Sequence, residues 1–406
     1  MSVRIICGRH YTKISELLSP ETFSGTERKK EGEGELWQIM MEYKCPSCGG
    51  AMEFDSTTQK MKCPYCDTEM EVAQYQQMQE KAEGNAGGNQ GGDAGGNNEN
   101  WSDMGNNQWM EGETDGIRVY VCQSCGGEIV ADANTGATSC PFCGNRVVMK
   151  GQFAGDLKPD YIIPFKKDKK AAKAAYFNHL KGKKYLPKVF KKENHVDEMK
   201  GVYVPFWIFD VDAEGSVAYN GERITKWRNG DTEYTKTEMY SMQRGGNLSF
   251  ARVPADGSRK MDDTLMESIE PFEFREAVPF QAAYLAGYMA DRYDMDMEER
   301  MERARERVKK ATEDAFRKTL PHMDRVTVAS SNVNVCNARY WYVLYPVWIL
   351  NTTWNGEKFT FAMNGQSGKL VGNLPMDKKQ FWIGVSVRGG IIGLVIYLLL
   401  WIIALM

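Results

Sequence analysis

Residues 45–66, CPSCGGAMEFDSTTQKMKCPYC, and residues 122–143, CQSCGGEIVADANTGATSCPFC, decide how this chain is read. Each holds two CxxC pairs separated by fourteen residues, and adding 77 carries Cys45, Cys48, Cys63 and Cys66 onto Cys122, Cys125, Cys140 and Cys143. The same offset carries Cys48-Gly49-Gly50 onto Cys125-Gly126-Gly127, Asp55 onto Asp132, and Pro64-Tyr65 onto Pro141-Phe142. A CxxC turn delivers two thiolates to one ion, and a closed tetrahedral Zn²⁺ site takes four. The repeat therefore predicts two structural zinc ions, one on each set of four cysteines. The stretches between the pairs have room for short hairpins turning at residues 56–59 and 133–136. Two small β zinc ribbons are expected, at 41–75 and 117–150. A disulfide framework is the competing reading, but nothing else in the chain suggests secretion, and thioredoxin-like chemistry lacks its βαβ surroundings. Four cysteines leave no open position for a catalytic water. Cys7 and Cys336 read as small apolar side chains.

The whole chain has 406 residues, 51 Lys+Arg against 54 Asp+Glu and four histidines, with no HExxH, GxSxG or GxxxxGK[ST]. A net charge of −3 gives no global argument for nucleic acid, and an enzyme is the weaker reading, with no catalytic residue assigned. Residues 381–406, FWIGVSVRGGIIGLVIYLLLWIIALM, carry one charge, Arg388, followed by 18 uncharged residues. As a helix those 18 would span about 27 Å, close to a hydrocarbon core of roughly 30 Å, so 381–406 reads as a single transmembrane helix. Lys378, Lys379 and Arg388 lie on its N-terminal side, which by the positive-inside rule leaves the main body cytoplasmic. Residues 1–40 carry six Lys/Arg and six Asp/Glu without periodicity, then Met40-Met41. The run Lys29–Gly34 fits a ribosome-binding region read in frame, so this N-terminal extension is expected to reflect a mis-chosen start.

Between the ends, residues 84–107 are Gly/Asn-rich, and 76–116 reads as a flexible linker tethering the ribbons independently. Residues 150–200 hold fourteen lysines and six acids, within which DKKAAKAAYFNHL (168–180) is helical in composition, with Ala172, Ala175, Tyr176 and Leu180 on one face. The block is either a solvated face or a contact for anionic lipid. GVYVPFWIFD (201–210) and YWYVLYPVWILN (340–351) share a Tyr-Val…Pro-x-Trp-Ile pattern, apolar on both faces, as in buried strands. They predict two related β-rich halves forming one α+β domain over 151–375, its tyrosines and tryptophans sheet core rather than an aromatic box. Residues 256–300 carry twelve acids against five basic residues, and 295–320 predicts a long, weakly amphipathic charged helix stopped by Pro321.

The order of CPxCGG ribbons, LKPDYIIPFKKDKKAA (157–172), GVYVPFWIFD (201–210), SIEPFEF (268–274) and a C-terminal membrane segment resembles the bacterial TFIIB-type zinc-ribbon-containing membrane proteins of Gram-positive bacteria. The resemblance covers residues 41–406. It implies a membrane anchor for SPFH-type scaffold proteins in membrane-stress systems, with the eight cysteines as the site residues. The primosomal-helicase label that some members carry is contradicted by the missing Walker A lysine motif. The expected function is a membrane-anchored, cytoplasm-facing zinc-ribbon adaptor that recruits partner proteins. A membrane-tethered nucleic-acid binder is the alternative, weakened because no Lys or Arg lies between Cys122 and Cys143.

Overall fold

The computed structural model describes residues 43–83, 109, 117–132, 140–143, 147–152, 157–192, 196 and 198–405. The N-terminal extension, Cys7, the Gly/Asn-rich run 84–107 and the turn expected at 133–136 lie outside the described residues.

The first ribbon is an antiparallel sheet of β1 (Glu53–Asp55), β2 (Lys60–Lys62) and β3 (Glu69–Met70). Its hairpin turns at 56–59, where Asp55 Oδ1 accepts from the Thr57 amide at 2.8 Å. The helix α1 (Val72–Glu83) follows, so the segment read as the start of the linker is helical. Val72 and Tyr75 are buried, and the Tyr75 hydroxyl donates to the Lys44 carbonyl at 2.9 Å, which ties α1 to the ribbon.

The remaining strands are β4 (Ile117–Cys122), β5 (Glu128–Asp132), β6 (Val147–Gln152), β7 (Tyr161–Ile162), β8 (Lys200–Asn229), β9 (Thr232–Asp256), β10 (Val278–Pro279), β11 (Met289–Asp291), β12 (Arg325–Trp354), β13 (Glu357–Asn364) and β14 (Leu370–Gly372). They join in the order β10-β7-β12-β8-β11-β5-β4-β6, with β9 on β8 and the meander β13-β14 on β12. The two Tyr-Val…Pro-x-Trp-Ile stretches are thus neighbouring strands of one sheet, each buried throughout 201–209 or 341–350. Alternate side chains feed two layers. Val202, Val204, Phe206 and Ile208 pack with Val343, Tyr345, Val347 and Ile349, while Tyr203 and Trp348 meet Phe165 and Tyr288 among the described aromatic contacts. The indoles of Trp207 and Trp348 donate to the Met295 and Lys167 carbonyls at 2.9 and 2.7 Å, the satisfied geometry of core aromatics.

Neither ribbon is simply tethered by the linker. In the second, β5 pairs with β11, and β11 runs parallel to β8, so hydrogen bonding continues from ribbon to body across the boundary drawn at residue 150. The physical reason lies in Ile129, Val130 and Ala131, all buried, which need a second neighbour besides β4. The first ribbon is also attached, through the Phe54 amide to the Ala286 carbonyl at 3.1 Å and Gln59 Nε2 to the Phe165 carbonyl at 2.7 Å.

The helix α2 (Lys169–Leu180) begins where Asp168 accepts from the Ala171 amide at 2.7 Å and buries Ala172, Tyr176 and Leu180. A short α3 (Asp263–Ser268) is capped by Asp262. The long α4 (Met297–Arg317) buries Arg300, Ala304, Val308, Thr312 and Phe316, a strict four-residue stripe in which a charge and a hydroxyl occupy positions that apolar periodicity passes over. Arg300 faces Asp256 and Asp263 there. Residues 210–251 and 305–339 form one compact unit around Val217, Tyr219 and Phe316, and the ribbons and the sheet core described above belong to the other. The last helix, α5 (Lys378–Leu405), is long and apolar enough to cross a membrane.

Candidate metal centres

Identical local geometry builds the first knuckle of each cysteine set. Cys45 N–H donates to the Gly50 carbonyl and Gly49 N–H to Cys45 at 2.7 and 2.8 Å, while Cys122 N–H donates to Gly127 and Gly126 N–H to Cys122 at 2.9 and 2.8 Å. Gly49 and Gly126 sit at φ 73° and 71°, left-handed positions that a side chain would strain. The 77-residue offset therefore holds at the level of individual hydrogen bonds.

The structure brings Cys45, Cys48, Cys63 and Cys66 into one group and Cys122, Cys125, Cys140 and Cys143 into another, with the sulfurs of each group within 4.8 Å of one another. Cys45–Cys66 and Cys48–Cys63 are each separated by 3.5 Å, and Cys122–Cys143 and Cys125–Cys140 by 3.4 and 3.7 Å. A disulfide needs about 2.05 Å. Four thiolates about 2.3 Å from a central ion stand about 3.8 Å apart, so the spacing fits a tetrahedral four-sulfur site. Burial opposes ionisation of Cys45, but the Ser47 and Cys48 amides outweigh it and bring its thiol down to about 6. Cys122 follows the same pattern, down to about 7 through the Cys125 and Ser124 amides. In each group the lowered thiol is matched by raised partners, Cys48 in the first and Cys125 and Cys140 in the second, as closely packed sulfurs sharing charge require. Cys336 is exposed and belongs to neither group.

The two centres differ in their surroundings. Cys122, Cys140 and Phe142 belong to the main core cluster, and Glu128 of the ribbon pairs with Arg292. Three features of the body converge on the second centre. Asn351 Nδ2 donates to the Pro141 carbonyl, Lys358 Nζ donates to the Phe142 carbonyl, and the Lys260 ammonium stands 5.6 Å from the Phe142 ring centroid. The Lys260 chain also crosses Gly127, where an added Cβ would lie 3.3 Å from its Cδ and 3.4 Å from Cys125 Sγ. Lys260 is anchored by fully buried Asp291, whose carboxyl burial raises to about 6 against the pull of Lys260 and Ser258. A four-thiolate Zn²⁺ centre carries two net negative charges, and a nearby ammonium offsets them. These residues lie far from the cysteines in sequence, and no spacing marks them.

The first centre instead keeps its lysines on its own acids. Lys62 pairs with Asp67 and Glu69 at 3.5 and 3.2 Å, and Lys60 pairs with Glu71 at 3.1 Å. Cys48 and Cys66 are exposed, as is Tyr65 beside them.

No family model matches the chain, and no solved structure matches it. It is 31% identical over 311 residues to the Bacillus subtilis (strain 168) protein named "Uncharacterized protein YdjG", an alignment covering 64% of this chain and 91% of that protein.

Proposed function

The chain belongs to the same family as the Bacillus subtilis protein YdjG, and from its own residues we propose that it is a membrane-anchored, cytoplasm-facing zinc-ribbon adaptor that recruits a partner protein. The observation that carries the reading is α5, whose apolar window is left uncovered by the rest of the chain. Lysines gather at its foot. Tyr185, within the lysine-rich block, stacks edge-on with Phe381 at 5.3 Å, and its carbonyl accepts from the Asp377 amide at 2.8 Å. Lys181, Lys183, Lys184 and Lys188 therefore share this end of the helix with Lys378 and Lys379, a distribution that favours the cytoplasmic side and contact with anionic headgroups.

Zinc is the proposed ion, because all-cysteine tetrahedral sites are its usual structural setting, and closed four-thiolate centres supply shape rather than an open catalytic position. The first ribbon's Lys60 and Lys62 are engaged by neighbouring carboxylates, which weakens the rival nucleic-acid reading. An SPFH-type scaffold is the partner class that the sequence resemblance implies. Affinity purification of the intact protein from solubilised membranes, followed by mass spectrometry, should recover a stoichiometric protein partner. Salt-sensitive binding of DNA or RNA lost on ribbon mutation, with no protein recovered, would establish the rival.

A further inference from the structure

The two ribbons repeat one knuckle but treat it in opposite ways. Phe142 is 3% exposed, whereas Tyr65, its equivalent in the repeat, is 76% exposed. From this contrast we propose that the Pro64–Tyr65 knuckle is a docking surface for another protein, one presenting an apolar pocket edged by lysine and asparagine. The proposal rests on the adaptor reading and specifies which surface does the recruiting.

The second ribbon shows how such a knuckle is received. The body accepts the Phe142 ring into its core, offers Asn351 to the Pro141 carbonyl and Lys358 to the Phe142 carbonyl, and places the Lys260 ammonium by the ring. Each element answers a feature that Pro64–Tyr65 also possesses: an aromatic face that attracts a cation, and two adjacent carbonyls able to accept. The first ribbon's attachment to the body leaves this end clear, because it runs through Phe54 and Gln59 on the hairpin.

The exposed ring is also preorganised. A Cβ on Gly50 would lie 2.6 Å from Tyr65 Cδ2, so the ring packs against that glycine with no room for a side chain there, while the residue stays 76% exposed. Asp67, next to the exposed Cys66, keeps a largely exposed carboxylate on the same knuckle although Lys62 stands 3.5 Å from it, which suits a lysine-edged pocket. A second copy of this chain is a poor fit, since its corresponding pocket is filled by its own Phe142.

The test uses the full-length protein in membranes, with p-benzoylphenylalanine in place of Tyr65 or, as a control, of exposed Thr57 on the hairpin. Photocrosslinks from position 65 should map to one protein, at apolar residues flanked by lysine and asparagine, and those from position 57 should not. Tyr65→Ser and Tyr65→Lys should lower recovery of that protein about thirtyfold, the scale of a truncated aromatic hot spot, whereas Tyr65→Phe should retain it. Metal content measured on every variant shows that the knuckle still forms, and the lysine variant suits an exposed site even if serine loosens the ribbon. Undiminished recovery with both Tyr65→Ser and Tyr65→Lys would overturn the docking proposal while leaving the adaptor reading intact. Recovery of no protein partner by any form, wild type included, would overturn both. Crosslinks from position 65 confined to its own chain would overturn the docking proposal alone.

Discussion

Removing a metal should have unequal consequences at the two centres. Paired substitutions Cys122→Ser/Cys125→Ser and Cys45→Ser/Cys48→Ser each delete two of four ligands, so each protein should retain one ion. Apparent binding free energies for structural zinc in ribbon-sized peptides are about 10–16 kcal/mol, and whole domains are stable by about 5–15 kcal/mol. Loss of the second ion is therefore large enough to unfold whatever depends on it. Cys122, Cys140 and Phe142 are members of the main core cluster, and β5 is bonded through β11 to β8, so the second ribbon's collapse strips the sheet of an interior neighbour. The first ribbon has a small core of its own, including Met52, Phe54 and Met61, and touches the body at the hairpin. Its collapse should stay within residues 43–83. Hydrogen exchange on the detergent-solubilised full chain, with metal content measured on the same samples, distinguishes the outcomes. Peptides covering 202–209 and 341–350 should remain protected in the Cys45/Cys48 variant and lose protection in the Cys122/Cys125 variant. Equal protection of these peptides in both variants would refute the reasoning.

Burial, reinforced by neighbouring Asp263, raises the Asp256 carboxyl against the opposing pull of Arg300, so above the usual carboxylate range the folded protein holds a proton that the unfolded chain has released. That contribution to stability falls as pH rises above the usual carboxylate range, and Asp256→Asn, which has no such proton to lose, should show a shallower fall of apparent Tm with rising pH than wild type. Gly365→Ala should destabilise by about 1–3 kcal/mol in chemical denaturation, because its Cβ would stand 2.6 Å from Phe165 Cδ1 and 2.9 Å from Pro346 Cβ in the packed interior. Deleting α5 should release the protein from membranes in flotation assays at high salt, while residual flotation on anionic vesicles at low salt, lost on neutralising Lys181, Lys183, Lys184 and Lys188, would register the lysines at the foot of the helix as a second attachment.

Much of this architecture is written locally. Ligand spacing groups the eight cysteines, continuous apolarity marks the two central strands and α5, and Asp168 announces the start of α2. Less visible are features that depend on distant partners. Arg300 and Thr312 occupy the inward stripe of α4, with Asp256 and Asp263 facing Arg300, and apolar periodicity counts such positions as surface. The lysine block and the acidic block are joined by Lys166–Glu276 at 2.6 Å, while Arg259, Arg300 and Arg303 reach acids 40, 44 and 36 residues away within 256–300. The polar Gly/Asn run suggests two freely tethered ribbons, yet the contacts that dock them come from strands and turns far along the chain.

A signal for that docking does lie in the sequence, in where the repeats disagree. At the 77-residue offset Glu53 becomes Val130, Lys60 becomes Ala137, Lys62 becomes Ser139 and Tyr65 becomes Phe142. The second ribbon has lost a charge or a hydroxyl at each of these positions while keeping every cysteine. The exchange is not one-sided, since Ala51 becomes Glu128, which pairs with Arg292, and Met61 becomes Thr138; metal ligation explains the identities of the two copies but cannot explain the loss of polarity at Glu53 and Tyr65. Burial can, since a charge or hydroxyl taken from water without a partner costs several kcal/mol and an apolar replacement avoids that cost. Val130 and Phe142 are indeed buried where Glu53 and Tyr65 are exposed. Identity between the repeats locates the candidate ligands, and the polar-to-apolar changes at Val130 and Phe142 fall on the face that the body covers. By the same reasoning, the polar groups kept by the first ribbon mark a surface that spends part of its life in water, and the large aromatic ring retained at position 65 is the feature on it that solvation alone does not require.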